Sequence, residues 1–167
     1  MVAIIRNKNV YVTEFEKIVF SEVERQVNGL PPGVADCYIG PSQHDSRMIA
    51  PTFRIRPTNP DAAPISGAVL EGEGVVISVG HSRREIGFRG TSTADALECA
   101  QRVSEICRAV FAGNFTERLE VDRTGRRISS SLRLPLSGGD FRMWQNRILT
   151  DLFRLTTKRE IHYAPYV

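Results

Sequence analysis

The sequence predicts an α+β fold in which an antiparallel sheet of about five or six strands carries helices on one face. Three short strand patterns follow one another between Ala68 and Arg89 with only tight turns between them, which is typical of an antiparallel meander. A long amphipathic pattern then covers Ala94 to Ala112, as expected for a helix packed on such a sheet. The predicted element order is α-β-β-β-β-α-β-β-α, a meander plus a hairpin, and we assign residues 1–167 to a single domain.

The N-terminal helix is predicted to begin at a capping box formed by Thr13 and Glu16. Asn28 and Gly29 predict a left-handed cap at its end, and the prolines that follow prevent the helix from continuing. Residues 30–46 are rich in Pro, Gly and Ser and are predicted to be mostly loop, although residues 34–39 could form a short strand. Residues 48–56 are predicted to form a strand limited to an edge or a bulge by Pro51.

The meander contains Val75–Val79, the most strand-prone run of the chain, and continues through a second alternating run at residues 84–89. Ser92 or Thr93 is predicted to cap the long helix. Residues 115–134 alternate in polarity around a turn at Thr124 and Gly125, which predicts a second hairpin. Apolar residues from Phe141 to Leu155 then suggest a third helix over residues 141–155.

The predicted core collects the inward positions of these elements. Its members are Phe15, Ile18, Val23, Phe53, Ile55, Val75, Ile77, Val79, Ile86, Phe88, Leu97, Val103, Val110, Leu119, Val121, Leu132 and Trp144.

Composition indicates a soluble chain, which we expect to be cytoplasmic. No apolar run approaches the roughly 18 residues that a membrane span requires, and the N-terminus lacks the layout of a signal peptide. The three cysteines, Cys37, Cys99 and Cys107, are predicted to be buried small hydrophobic residues because an odd number argues against a disulfide framework.

Basic residues predict one candidate binding surface. The net charge is +3, and residues 115–167 alone contribute +4, from ten Lys and Arg against six Asp and Glu. Arginines cluster near the predicted meander and at the second turn, where they are interleaved with Glu71, Glu85, Glu117, Glu120 and Asp122. A nucleic-acid-binding protein that uses an arginine-rich sheet face is therefore one alternative. The candidate binding residues are Arg54, Arg56, His81, Arg83, Arg84 and Arg89.

A small hydrolase is the second alternative. His81 and Ser82 are adjacent, and an acid such as Glu71 or Glu85 would complete a catalytic group. The sequence has no Gly-x-Ser-x-Gly motif, no usual metal-ligand spacing and no phosphate-binding loop. We therefore nominate no catalytic residue, no metal and no cofactor, and we lean against an enzyme.

The leading functional prediction is a non-catalytic protein–protein interaction module. The order helix, strands, helix, two strands, helix resembles that of the small secretion chaperones, which bind a partner chain without catalysis and commonly form dimers. Immunity proteins of bacterial toxin systems have similar small α+β layouts. The resemblance, which rests on element order alone, implies a chaperone-like or immunity-like bacterial protein with a protein partner.

Self-association into a homodimer is also predicted. The third helix would be apolar around much of its circumference, and the tail has little of its own to pack on. The return strand at residues 127–134 would offer an edge to a second copy. The candidate self-association residues are Trp144, Leu149, Phe153, Tyr163 and Tyr166.

Overall fold

The computed structural model describes residues 4–6, 13–41, 50–70, 74–80, 84–90, 92–125, 127–136, 139–146 and 157–167. Its fold is α+β, as predicted. The elements in chain order are β1 (Ile4–Arg6), α1 (Glu14–Asn28), β2 (Ala35–Pro41), β3 (Pro51–Pro57), β4 (Ile65–Leu70), β5 (Gly74–Val79), β6 (Arg84–Phe88), α2 (Thr93–Phe111), β7 (Thr116–Val121), β8 (Arg127–Leu136), β9 (Gly139–Asn146) and β10 (Thr157–His162).

The first six strands form one sheet in chain order, β1 to β6. The meander is confirmed, because β2 to β6 pair antiparallel with their neighbours. The sheet is mixed rather than purely antiparallel, because β1 runs parallel to β2. The connection between β1 and β2 includes α1, and a crossover of this length is what a parallel pair requires.

The remaining strands form a second sheet in the order β10-β7-β8-β9. The predicted hairpin of residues 115–134 is confirmed as β7 and β8. The predicted helix over residues 141–155 is wrong for residues 141–146, which belong to β9, and residues 147–155 lie outside the described part. Phe141 and Met143 also alternate at strand spacing, and they pair with Leu134 and Leu132 of β8. The element order behind the resemblance to secretion chaperones therefore differs from the one observed.

Helix α1 begins at the predicted capping box. The Glu16 amide donates to Thr13 Oγ1 at 3.2 Å, and the Thr13 amide donates to Glu16 Oε2 at 3.0 Å. The predicted left-handed cap at Gly29 is wrong, because Gly29 has a right-handed φ of −75° and still donates to the carbonyls of Arg25 and Gln26. The left-handed glycine comes later, at Gly33 with φ 79°.

Helix α2 begins at Ser92, where the Asp95 amide donates to Ser92 Oγ and the Asp95 carboxylate accepts from the Ser92 amide. It packs against α1, and it contacts β5 in one sheet and β8 in the other. Leu97 is 61% exposed, so its predicted core position is wrong. The buried stripe passes through Ala96 and Ala100, and Leu97 lies to one side of it. Neither helix in the described ranges is long and apolar enough to cross a membrane.

One contiguous cluster of buried side chains joins the helices to both sheets. Phe20 of α1 meets Phe53 of β3 edge to face, with ring centroids 6.2 Å apart. The side chains of Ile86 and Trp144 lie outside the described part. Four predicted core residues are only partly buried: Phe15, Ile18, Phe88 and Leu119. The predicted core residues confirmed as buried are Val23, Phe53, Ile55, Val75, Ile77, Val79, Val103, Val110, Val121 and Leu132.

The C-terminal tail, residues 163–167, is built into this core. The Ala164 amide donates to the Asp61 carbonyl at 3.0 Å, and the Tyr166 amide donates to the Phe111 carbonyl at 2.9 Å. The Tyr166 hydroxyl donates to the Ala63 carbonyl at 2.5 Å. The tail therefore joins the loop between β3 and β4 to the end of α2, and it holds the preceding strand β10 in place.

Candidate binding surface

The outer face of the second sheet carries a groove of about 410 Å³. Three strands provide the side chains that line it, because alternate residues of β7, β8 and β10 point to the same side of the sheet. Every residue that lines the groove belongs to one of these three strands. We call this outer face the charged sheet face, and its side chains are Thr116, Arg118, Glu120, Ser129, Ser131, Arg133, Lys158 and Glu160.

Charges of opposite sign alternate on this face, both along and across the strands. The pairing of β10 with β7 places Lys158 opposite Glu120 and Glu160 opposite Arg118. Arg118 Nε donates to Glu160 Oε2 at 3.3 Å, and the two side chains are 67% and 39% exposed. Pairs of opposite charge at directly opposed positions stabilise a sheet by a few tenths of a kcal/mol up to about 1 kcal/mol.

Hydroxyl groups extend the face onto β8. Ser129 Oγ donates to Glu120 Oε2 at 2.8 Å, and Ser131 lines the groove next to it. Lys158, in contrast, makes no ion pair with another described residue. The charged sheet face therefore offers an ammonium group, an exposed ion pair and hydroxyl groups to a molecule that binds there.

The basic residues predicted on the first sheet are only partly brought together. Arg54 and Arg56 lie on the face of β3 opposite to the core. Arg54 is half-buried and Arg56 is exposed. In register, Arg56 pairs with Asp36 of β2. The register aligns Arg54 with Ser66, Ser78 and Glu85 in one row across the sheet. Arg84 pairs with Val79 of β5 and therefore lies in the next row.

The other predicted residues near β5 and β6 are less well placed. Arg89 is exposed just after β6. His81 and Arg83, together with Ser82 and Glu71 of the hydrolase alternative, lie outside the described residues. Glu85 lies in β6, where its Cα pairs with Ser78. The arginine-rich face and the hydrolase group both remain predictions.

On the inner face of β7, a buried carboxyl group meets the tail. The Glu117 side chain is fully buried, and the Tyr163 hydroxyl donates to its Oε2. The Tyr163 ring stacks on Phe115 with centroids 4.6 Å apart. Among the described residues, Glu117 Oε1 has no hydrogen-bond partner. Glu117 is one of the acidic residues that were predicted to interleave the surface arginines, and it belongs to the core instead.

Gly80 closes this buried pair from the side of β5. A Cβ at Gly80 would lie 2.9 Å from Glu117 Oε2 and from the Tyr163 hydroxyl oxygen, and its φ of +75° is one that glycine adopts readily. Gly80 directly precedes His81 in the chain. The carboxyl group beside Gly80 is that of Glu117.

The three cysteines are buried and free, as predicted. Burial raises the pKa of the Cys37 thiol to about 12, and burial likewise raises the pKa of the Cys107 thiol to about 12. Burial also raises the pKa of the Tyr166 hydroxyl. A thiol that stays protonated is a poor nucleophile and a poor metal ligand. In the described ranges, no group of three His, Cys, Asp or Glu side chains is arranged to hold a metal ion.

The residues predicted for self-association have different environments. Tyr163 and Tyr166 are buried in their own chain, so the premise that the tail lacks packing partners is wrong. Trp144 lies in β9, where its Cα pairs with Ser131. Leu149 and Phe153 lie outside the described residues. The return strand β8 has β9 along its second edge and offers no free edge there. The homodimer itself remains a prediction.

The charged sheet face had a partial sequence signal. Alternation in residues 116–121 indicated that Arg118 and Glu120 share one side of a strand. Nothing local indicated that Lys158 and Glu160 would join them, because the pairing of β10 with β7 is set by contacts about 40 residues apart. Comparisons with protein families, with curated proteins and with solved structures found no match to this chain.

Proposed function

We propose that this chain is a non-catalytic protein–protein interaction module that binds a partner protein through the charged sheet face. The observation that carries the proposal is the open groove of about 410 Å³, lined by both basic and acidic side chains. A chaperone-like or immunity-like role is one form that such a module could take, and it remains a prediction.

The mixture of charges favours a protein over a nucleic acid. Glu120 and Glu160 share the groove with Arg118, Arg133 and Lys158, and carboxylates repel a phosphate backbone. A protein surface carries both signs, so it can place a basic group near each acid and an acidic group near each base. Such complementarity contributes to specificity and to the rate of association more than to affinity.

Differential affinity capture tests the proposal. The immobilised protein is exposed to lysate of its native host after nuclease treatment, beside a variant with Arg118→Glu and Lys158→Glu. A control carries Arg54→Glu and Arg56→Glu, the same change in charge on the other sheet. We expect specific proteins to bind the unaltered chain and the control and to be lost from the charged-face variant. Equal capture by all three chains would contradict the proposal.

The two alternatives are tested with the same material. For nucleic acid, binding to single-stranded RNA should fall steeply with salt and should be lost in the Arg54 and Arg56 control variant. A flat salt response would remove this alternative. For the hydrolase, turnover of an activated ester should be abolished by His81→Ala, and turnover equal to that of the unaltered chain would remove it.

A further inference from the structure

Four side chains on the neighbouring strands β10 and β7 of the charged sheet face form a square in which every neighbour has the opposite charge. Lys158 and Glu160 follow each other on one side of β10. Glu120 and Arg118 stand opposite them on β7, in the same order. All four line the same groove. We refer to these four residues as the charge square.

Such a square is complementary to itself. If a second copy faces it about a twofold axis that runs along the strands between β10 and β7, Lys158 stands over the partner's Glu120 and Arg118 stands over the partner's Glu160. If the axis runs across the strands instead, Lys158 stands over the partner's Glu160 and Arg118 over the partner's Glu120. Both orientations therefore oppose unlike charges at all four positions.

We propose that the partner of the charged sheet face is a second copy of this chain, docked face to face about a twofold axis. This inference rests on the proposed function, because it names the protein that occupies the same surface. Among soluble homo-oligomers, twofold pairing through one self-complementary patch is by far the commonest arrangement. The groove leaves room for the long side chains of the facing copy, and the buried Tyr163 and Tyr166 do not take part.

The size of the face sets the expected strength. With the axis along the strands, only β10 and β7 of each copy face each other; two strands about 4.8 Å apart, each contributing about six residues of 3.3 Å, give an overlap of roughly 10 by 20 Å. With the axis across the strands β8 also takes part, and the overlap is roughly 14 by 20 Å. Both areas are smaller than those of typical specific interfaces, so we expect a weak dimer that dissociates at micromolar concentrations. Because exposed ion pairs are screened by ions, the dimer should also weaken as salt is added.

A pair of charge-reversal variants tests the inference for both orientations of the twofold axis. The acidic variant carries Arg118→Glu and Lys158→Glu, and the basic variant carries Glu120→Lys and Glu160→Lys. Each variant alone opposes like charges at every position of the square, so we expect its self-association to weaken by about tenfold or more. An equimolar mixture opposes unlike charges everywhere, and we expect it to form a heterodimer at least as strong as the original homodimer.

Sedimentation equilibrium at concentrations up to about 200 µM gives the mass of the unaltered chain, of each variant and of the mixture. This range of concentrations covers a weak dimer. Formation of the heterodimer also shows that both variants are folded. The control variant with Arg54→Glu and Arg56→Glu should dimerise like the unaltered chain. A monomer mass for the unaltered chain, or a mixture that stays monomeric while the unaltered chain dimerises, would overturn the inference.

Failure of this inference is distinguishable from failure of the proposed function. If the unaltered chain is monomeric but captures proteins from the lysate that the acidic variant does not, the surface binds a different protein. In that case the function stands and self-association falls. If the unaltered chain neither dimerises nor captures proteins through this face, both fall.

Discussion

The hydrogen bond between Tyr163 and Glu117 allows a sharp test of how the tail is held. Glu117 is fully buried, and its Oε2 accepts from the Tyr163 hydroxyl, while Oε1 has no partner among the described residues. Tyr163→Phe removes that donor and leaves a buried carboxyl group with no hydrogen bond among these residues. The expected loss of unfolding free energy is about 2–4 kcal/mol, a large part of the 5–15 kcal/mol that is typical of a domain.

The same substitution should cost much less when Glu117 is replaced by methionine. Met is unbranched and close to Glu in length, so Glu117→Met removes the buried carboxyl group with little change in shape. In that background, Tyr163→Phe no longer strands a polar group on β7, and we expect it to cost less than about 1 kcal/mol. The double-mutant cycle should thus give a coupling energy of about 2 kcal/mol.

Urea denaturation followed by circular dichroism measures all four members of the cycle. Tyr166→Phe is the matched control, because its hydroxyl is also buried but donates to the uncharged Ala63 carbonyl. Its cost should be about 1 kcal/mol whether residue 117 is Glu or Met. If Tyr163→Phe costs the same in both backgrounds, the hydrogen bond to Glu117 does not explain the burial of that carboxyl group.

Three further expectations concern the core. Phe20→Ala should lower the unfolding free energy by about 3–5 kcal/mol, measured by urea denaturation, because Phe20 is fully buried; a loss below 1 kcal/mol would contradict its core position. Gly80→Ala should lower the melting temperature, since its φ is +75° and its Cβ would lie 2.9 Å from two oxygens; an unchanged temperature would show that the contact relaxes. Stability should fall as the pH rises from about 9 towards 12, because the Cys37 and Cys107 thiols lose protons at about 9 when unfolded and at about 12 when folded; Cys→Ala at both positions should flatten this fall in denaturation series at pH 8, 9 and 10.

Local signals in the sequence were sufficient for the elements that depend on neighbouring residues. The capping box at Thr13 and Glu16 and the cap at Ser92 were readable because each involves residues three apart. The run Val75–Val79 combines high strand propensity with alternation, and the structure has a strand at Gly74–Val79. These features are fixed within a few residues of chain, so no tertiary information was needed.

The prediction was wrong where the spacing of apolar residues fits both a helix and a strand. Phe141 and Trp144 are spaced for a helix, but Phe141 and Met143 are also spaced for a strand. Pairing of β9 with Leu132 and Leu134 of β8 decides between them, because it aligns apolar residues across two neighbouring strands. A weak local pattern explains why strand β10 was not predicted, because its first four residues are exposed and three of them, residues 158–160, are charged.

The candidate surface was missed for a related reason. Arginines 54, 56 and 84 are conspicuous in the sequence, but a binding face is defined by register across strands rather than by composition. Arg54 lies on β3 and Arg84 on β6, and the register places them in neighbouring rows rather than in the same row. In contrast, the register brings Lys158 opposite Glu120 although β10 and β7 are about 40 residues apart in the chain. Neither relation can be obtained from the sequence without knowing which strands pair.

The two faces of β7 connect the buried pair to the proposed surface. Glu117 points into the core and holds Tyr163, which directly follows β10. Arg118 and Glu120 lie on the outer face, where Arg118 pairs with Glu160 of β10 and Glu120 stands opposite Lys158 in register. An edge strand in which five of six residues are exposed has little apolar burial of its own to keep it paired. Its position therefore depends on the tail that follows it, which is fixed to the core through Tyr163 and Tyr166. The charge square on the outside of the sheet is thus assembled by residues that are buried on the inside.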